Sequence, residues 1–187
     1  MGDCNPETRR ELTAQLKQVK RDLDQSKKET SEFRTQCSQI KDNIKWTQPT
    51  GTVDVKTCTY KYGLEKIILI FTFPDGTQTT HHSSPGSKIK GGPFDGYFSR
   101  DCEGEMLCRM LKAAFRRGMM FNLGKTGTVI LNGVTLYTGS VYDSEKLRPT
   151  YVKYIKTLKK ELRAKRITEA NIDQTGTLEE AFTVDGC

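Results

Sequence analysis

From Leu12 onward the apolar and near-apolar residues fall at Leu12, Leu16, Val19, Leu23, Ser26, Thr30, Phe33, Cys37, Ile40 and Ile44, in alternating steps of four and three. A period of 3.5 suits a helix whose apolar seam is sealed by another helix. A coiled-coil helix is therefore expected over residues 6–45, after a flexible N-terminus of residues 1–5. Asp22 and Glu29 each stand five residues before a base, Lys27 and Arg34. This is the offset of interchain charge pairs in a parallel two-stranded coil, so a homodimer through this helix is the expected arrangement. The polar pair Ser26 and Thr30 weakens the middle of the seam, and a helix folded back on its own domain is the competing arrangement.

The helix cannot continue through "WTQPTGT", where Pro49 lacks an amide hydrogen and Gly51 loosens the backbone. Beyond it "TVDVKTCTYKY" alternates like a half-exposed strand, and "KIILIFTF" is a β-rich run closed by the turn Pro74–Gly76. "EGEMLCRMLKAAFRRG" opens with acids, ends with Arg116 and Arg117, and is stopped by Gly118. It predicts an amphipathic helix burying Leu107, Met110, Leu111, Ala114 and Phe115. Met119–Leu123, Thr128–Leu131 and Val134–Thr138 read as short strands, the last two joined at Asn132-Gly133. A final helix over about Pro149–Arg166 presents Tyr151, Ile155, Leu158 and Leu162 as its buried stripe. Strands flank helices without a βαβ rhythm, which indicates an α+β class. The last stretch, residues 169–187, is polar and acidic and is expected to be mobile.

At 187 residues and 35% hydrophobic content, one core is affordable alongside an appendage. No apolar run reaches the roughly 18 residues of a membrane span, and the first ten residues lack the apolar core of a signal peptide. Neither Gly2 nor the C-terminal "VDGC" sits in an acylation or prenylation motif. A soluble chain of the cytoplasm or nucleus, with no membrane partner, is the expectation. The six cysteines form no C-x-x-C and only His81 and His82 are histidines, so no metal site is expected and the thiols read as reduced. The net charge of +7 suits a polyanionic partner without choosing among nucleic acid, nucleotide phosphate and an acidic protein face.

Lys153 to Arg166 carries seven lysines and arginines and a single acid, Glu161. With no stacking array beside them, the bases read as a solvated face, and nucleic acid is the lesser alternative. Glu161 lies beside Tyr154 at the edge of the apolar stripe, where it either overlooks a pocket or pairs with Lys165 four residues on. "GKTGT", Gly124–Thr128, fails the nucleotide P-loop pattern in spacing and lacks the following helix, so it reads as a loop between strands. His81 and His82 read as exposed loop residues, with no nucleophile assignable to them.

"QPTG", "FPDGTQTTHHSSPG", "GYFSRDCEGEMLCRMLKAAFRRGMMFNLG" and "YIKTLKKELRAKRI" together resemble the C-terminal domain of the Deltex ubiquitin ligases. The resemblance begins at "QPTGT" and runs for about 120 residues, to Ile167. It implies an α+β domain over residues 46–168, a sheet packed by two helices, that binds ADP-ribose or NAD. It also implies ubiquitin-pathway or Deltex-family partners and a place in Notch signalling. In the family the domain works with a RING to join ubiquitin to an ADP-ribose hydroxyl, and the catalytic glutamate falls on Glu161. The ligand pocket then draws on Gly124, Lys125, Thr126, Asn132, Thr135, Thr138, Tyr142 and Tyr154. Several family features differ here. The Ser/Thr/Gly-rich ligand loop shrinks to "GKTGT", Thr135 and Leu136 stand at two histidine positions, and Leu147 stands where a His or Tyr precedes the glutamate, with Tyr142 nearby. The cysteines cannot build the two zinc sites of a RING. A binding and dimerising module, a non-catalytic adaptor with a degenerate pocket, is thus the expected function. An ADP-ribose or NAD reader with residual transferase activity is the alternative.

Overall fold

The computed structural model describes residues 6–43, 47–59, 63–143 and 146–186, with side chains omitted at 6–9 and 36–43. Two compact units divide near residue 45. The first is a single helix, α1 (Pro6–Asn43). Its seam residues Leu12, Leu16, Val19, Leu23 and Phe33 are all more than half exposed. Ile44 and the side chains of Cys37 and Ile40 lie outside the described residues. No described helix is long and apolar enough to cross a membrane.

The second unit runs through β1 (Gly51–Thr59), β2 (Glu65–Phe73), β3 (Gly76–Thr77), β4 (Lys88–Ile89), β5 (Gly92–Ser99), α2 (Cys102–Arg116), β6 (Phe121–Leu123), β7 (Val129–Leu131), β8 (Tyr142–Asp143), β9 (Lys146–Leu147), α3 (Pro149–Ala164) and β10 (Ala181–Val184). The main sheet is antiparallel in the order β10-β1-β2-β5. Alternation decides its faces: Val53 and Val55 of β1 and Ile67, Leu69, Phe71 and Phe73 of β2 point into the core. Each such side chain contributes on the order of 1.5–3 kcal/mol by leaving water.

Helix α2 packs across β2 and β5 and against α3. Asp101 caps its start, accepting from the Gly104 amide at 2.7 Å, with Glu103 and Glu105 in the first turn. Leu107, Met110, Leu111, Ala114 and Phe115 are buried, the face that helical spacing predicts. Phe115 joins Phe71 and Phe121 at ring separations of 5.1 and 6.1 Å. The motif "QPTG" acquires its reason here, because Gln48 is fully buried. Its amide donates to the Phe115 carbonyl at 3.0 Å and accepts from the Met120 and Phe121 amides. One side chain thus satisfies the end of α2 and the entry to β6. Tyr151, Ile155, Leu158 and Leu162 form the buried stripe of α3.

Two expectations are corrected. Val134–Thr138 forms no strand. The hairpin is instead β6–β7, turned by the "GKTGT" loop. Gly133, at φ 62°, diverts the chain towards α3, and the main-chain groups of Thr135 are taken by α3 side chains rather than by a ladder. The C-terminal stretch is also built into the sheet rather than loose, since β10 pairs with β1 from Gly51↔Val184 to Asp54↔Ala181.

Candidate functional site

Along the edge of β5 the segment 132–142 lies between the sheet and α3. It is tied to β5 by the Tyr97 amide, which donates to the Tyr137 carbonyl at 2.9 Å. The approach is close enough that a Cβ on Gly96 would stand 3.1 Å from Leu136 Cδ2. From α3, Tyr154 donates its hydroxyl to the Thr135 carbonyl at 3.1 Å. One turn and three residues further on, Glu161 Oε2 accepts from the Thr135 amide at 2.8 Å and from its hydroxyl at 3.0 Å. Tyr154 and Glu161 therefore act as a two-point clamp on one threonine. The clamp replaces the predicted alternative of a Glu161–Lys165 ion pair, and Lys165 turns its stem towards Gly133.

An aromatic cluster backs the clamp, with Tyr137 at 5.3 Å from both Tyr151 and Tyr154 and Phe98 at 6.2 Å from Tyr154. Burial holds the Tyr154 hydroxyl well above the ordinary tyrosine range, with the Tyr151 ring and the Glu161 carboxylate adding to it. Burial likewise pushes Tyr151 up to about 12, where its oxygen accepts from the Ser99 amide at 3.0 Å. These tyrosines are neutral donors and packing groups at neutral pH, not bases.

Beyond the clamp the segment opens a recess of about 220 Å³ lined by Lys66, Tyr97, Thr138, Gly139, Ser140, Val141 and Tyr142. Lys66 sits over the Tyr97 ring at 4.6 Å. Tyr142 donates to the Glu65 carbonyl at 2.7 Å, and burial raises its pKa. It faces Leu147 across the β8–β9 pair, so the tyrosine does stand beside the position where the family pattern wants a His or Tyr.

The predicted site residues thus fall in three places. Thr138 and Tyr142 line the recess. Thr135, Tyr154 and Glu161 form the clamp, and Asn132 precedes it, its amide donating to the Met120 carbonyl at 2.7 Å. Gly124, Lys125 and Thr126 lie on the β6–β7 turn, whose outside contacts run to Lys90: the Lys90 amide donates to the Gly127 carbonyl at 2.9 Å. Glu161 does not line the recess. Lys66, Tyr97 and Ser140 do, and sequence reading passed over them; the outward phase of alternation in β2 and β5 was the available signal.

His82 differs from expectation. It is buried, with Nδ1 accepting from the Thr79 amide at 3.0 Å, and burial followed by the charge of His81 lowers its pKa. It orders the loop between β3 and β4 instead of standing in solvent. On α3, Lys159 pairs with Glu103 while Lys153, Lys156, Lys160 and Arg163 remain exposed. Among the described residues no cluster of three or more His, Cys, Asp or Glu is placed to hold a metal ion.

A protein-family model, the Deltex C-terminal domain, matches residues 45–167. No curated protein matches the chain.

Proposed function

Since the chain belongs to the Deltex C-terminal domain family, we propose that it serves ubiquitin and ADP-ribose signalling as a binding and dimerising adaptor rather than as a transferase. The observation that carries this reading is the state of Glu161. A general base needs its lone pair within reach of the substrate proton. Here Oε2 is engaged by the amide and hydroxyl of Thr135, which leaves Oε1 alone to meet a substrate proton, and the family's histidine positions hold Thr135 and Leu136. Through Oε2 the carboxylate serves as a structural fastener of the segment that borders the recess.

Dimerisation rests on α1. Its five described large seam residues expose between 52% and 69% of their surface, and a helix with such a stripe is stable chiefly when the stripe is covered. A second copy in parallel register brings Asp22 to Lys27 and Glu29 to Arg34. Light scattering on the intact chain is expected to give twice the chain mass, and Leu16→Asp with Leu23→Asp to give the single mass. A monomeric intact chain sinks the dimer.

The recess supports a second reading, a reader of ADP-ribose or NAD. Two tyrosines, two hydroxyls and a lysine suit a base or ribose with a phosphate nearby. Its volume of about 220 Å³ is below the roughly 300–1,000 Å³ of pockets that enclose whole ligands. Calorimetry with ADP-ribose separates the two. The adaptor predicts no heat at micromolar ligand, whereas heat there, lost in Tyr97→Ala or Lys66→Ala, establishes the reader.

A further inference from the structure

Residues 168–187 lie beyond the family match and contain five acids and no lysine or arginine. In the structure this stretch follows a basic stripe on α2. Arg109, Lys112 and Arg116, spaced three and four apart, share one helix face. Arg109 donates to the Gly176 carbonyl. Lys112, only 4% exposed, donates to the Thr177 carbonyl at 2.7 Å, the Leu178 carbonyl at 3.1 Å and the Glu180 carboxylate at 2.7 Å. All three hydrogens of a buried ammonium are thus spent on one peptide segment. Arg116 pairs with the same carboxylate and lays its guanidinium 4.1 Å from the Phe182 ring centroid.

The backbone contacts are those of an added strand. β10 pairs with four residues of β1, and the Val55 amide extends the ladder to the Glu180 carbonyl at 3.0 Å. Glu180, Phe182 and Val184 alternate onto the α2 side, where Phe182 meets Phe115 at 5.9 Å and Val184 is buried. Of the buried core residues described, only Val184 lies beyond Ile167. The sheet β1-β2-β5, both helices and nearly the whole core therefore precede the segment. What it supplies is one strand edge, one carboxylate between two cations, one aromatic ring and the apolar side chains of Leu178 and Val184 on the core, the contact set by which an extended peptide is read on a sheet edge.

We propose that the β1 edge and the basic stripe of α2 form a docking groove for an extended acidic segment of a partner protein, with a glutamate two residues before an aromatic, and that the chain's own residues 173–184 fill it as an intramolecular placeholder. A partner binds by displacing this segment, so affinity is set by competition with it.

The probe is a labelled peptide of residues 173–186, read by fluorescence anisotropy. The full chain carrying Glu180→Lys repels its own segment from Lys112 and Arg116 and is expected to bind the peptide at least about tenfold more tightly than the wild-type chain does. Lys112→Met in that background, or a peptide with serine for Phe182, removes the binding. A folded Glu180→Lys chain that ignores the peptide, or equal binding by both chains, overturns the proposal. A second route uses the wild-type chain with a protease site inserted after Ile172. After cutting, the tail is expected to leave on dilution from a folded remainder and to rebind on addition. A remainder that unfolds as the tail leaves makes β10 an integral strand, and the proposal fails.

Discussion

Helices α1 and α2 both carry an apolar stripe, yet α2 buries Leu107, Leu111 and Phe115 completely while α1 leaves Leu16 and Leu23 more than half exposed. Their patterns already differ. The stripe of α2 is broad, three to four residues per two turns, and suits the flat face of a sheet. The seam of α1 is narrow and keeps a period of 3.5, which suits only another helix. The polar side of α2 is covered as well, because Lys112 is roofed by the C-terminal segment. A helix in a domain can thus be enclosed on two faces by its own chain, whereas the described seam residues of α1 stay exposed.

The comparison breaks most readily at Leu111. Leu111→Ala removes a fully buried side chain from the face of α2 that packs on the sheet and is expected to cost about 3 kcal/mol, within the usual range of 2–5. Denaturant unfolding of the globular unit measures it, and a loss below about 1 kcal/mol would show that α2 is covered more loosely than its burial indicates. Acidification gives a smaller effect on the other face of α2. Burial raises the proton affinity of Glu180, but the hydrogen bond and charge of Lys112, with Arg116, outweigh it, so its pKa lies below the ordinary value. Its contribution is complete above the unfolded value of about 4.3 and is lost as pH falls through the lowered folded value. A dye at the C terminus should gain mobility in that window, and in Glu180→Gln it should already be mobile at neutral pH. The smallest effect belongs to α1: Leu23→Ala should leave unfolding of the globular unit within about 0.5 kcal/mol while weakening self-association. A larger loss would place the seam against the chain's own domain.

Much of the fold was legible because it is written in local periods. Every residue assigned to the buried faces of α2 and α3 is buried, and the strands at Gly51–Thr59 and Glu65–Phe73 follow their alternation. Asn132-Gly133 misled because a hairpin signal states a turn, not the partner of the strand that follows. The hydrogen-bond demand of Thr135 was met by Glu161 and Tyr154, 26 and 19 residues away. The site was legible only in part for the same reason. Spacing on α3 placed Glu161 beside Tyr154 at the edge of the stripe, and both do reach the same threonine. That their reach ends there, and that the recess belongs to Lys66, Tyr97 and residues 138–142, depends on how β2, β5 and the 132–142 segment are brought side by side.

Residue order alone determined which faces are apolar, where the long helix must stop and which family motifs the chain carries, because periodicity, proline and capping act within a few residues of themselves. Only tertiary structure decided what each charged group meets. A buried lysine is tolerable only where three acceptors converge on it, and for Lys112 they arrive from residues 177, 178 and 180, a distance along the chain over which no local pattern speaks.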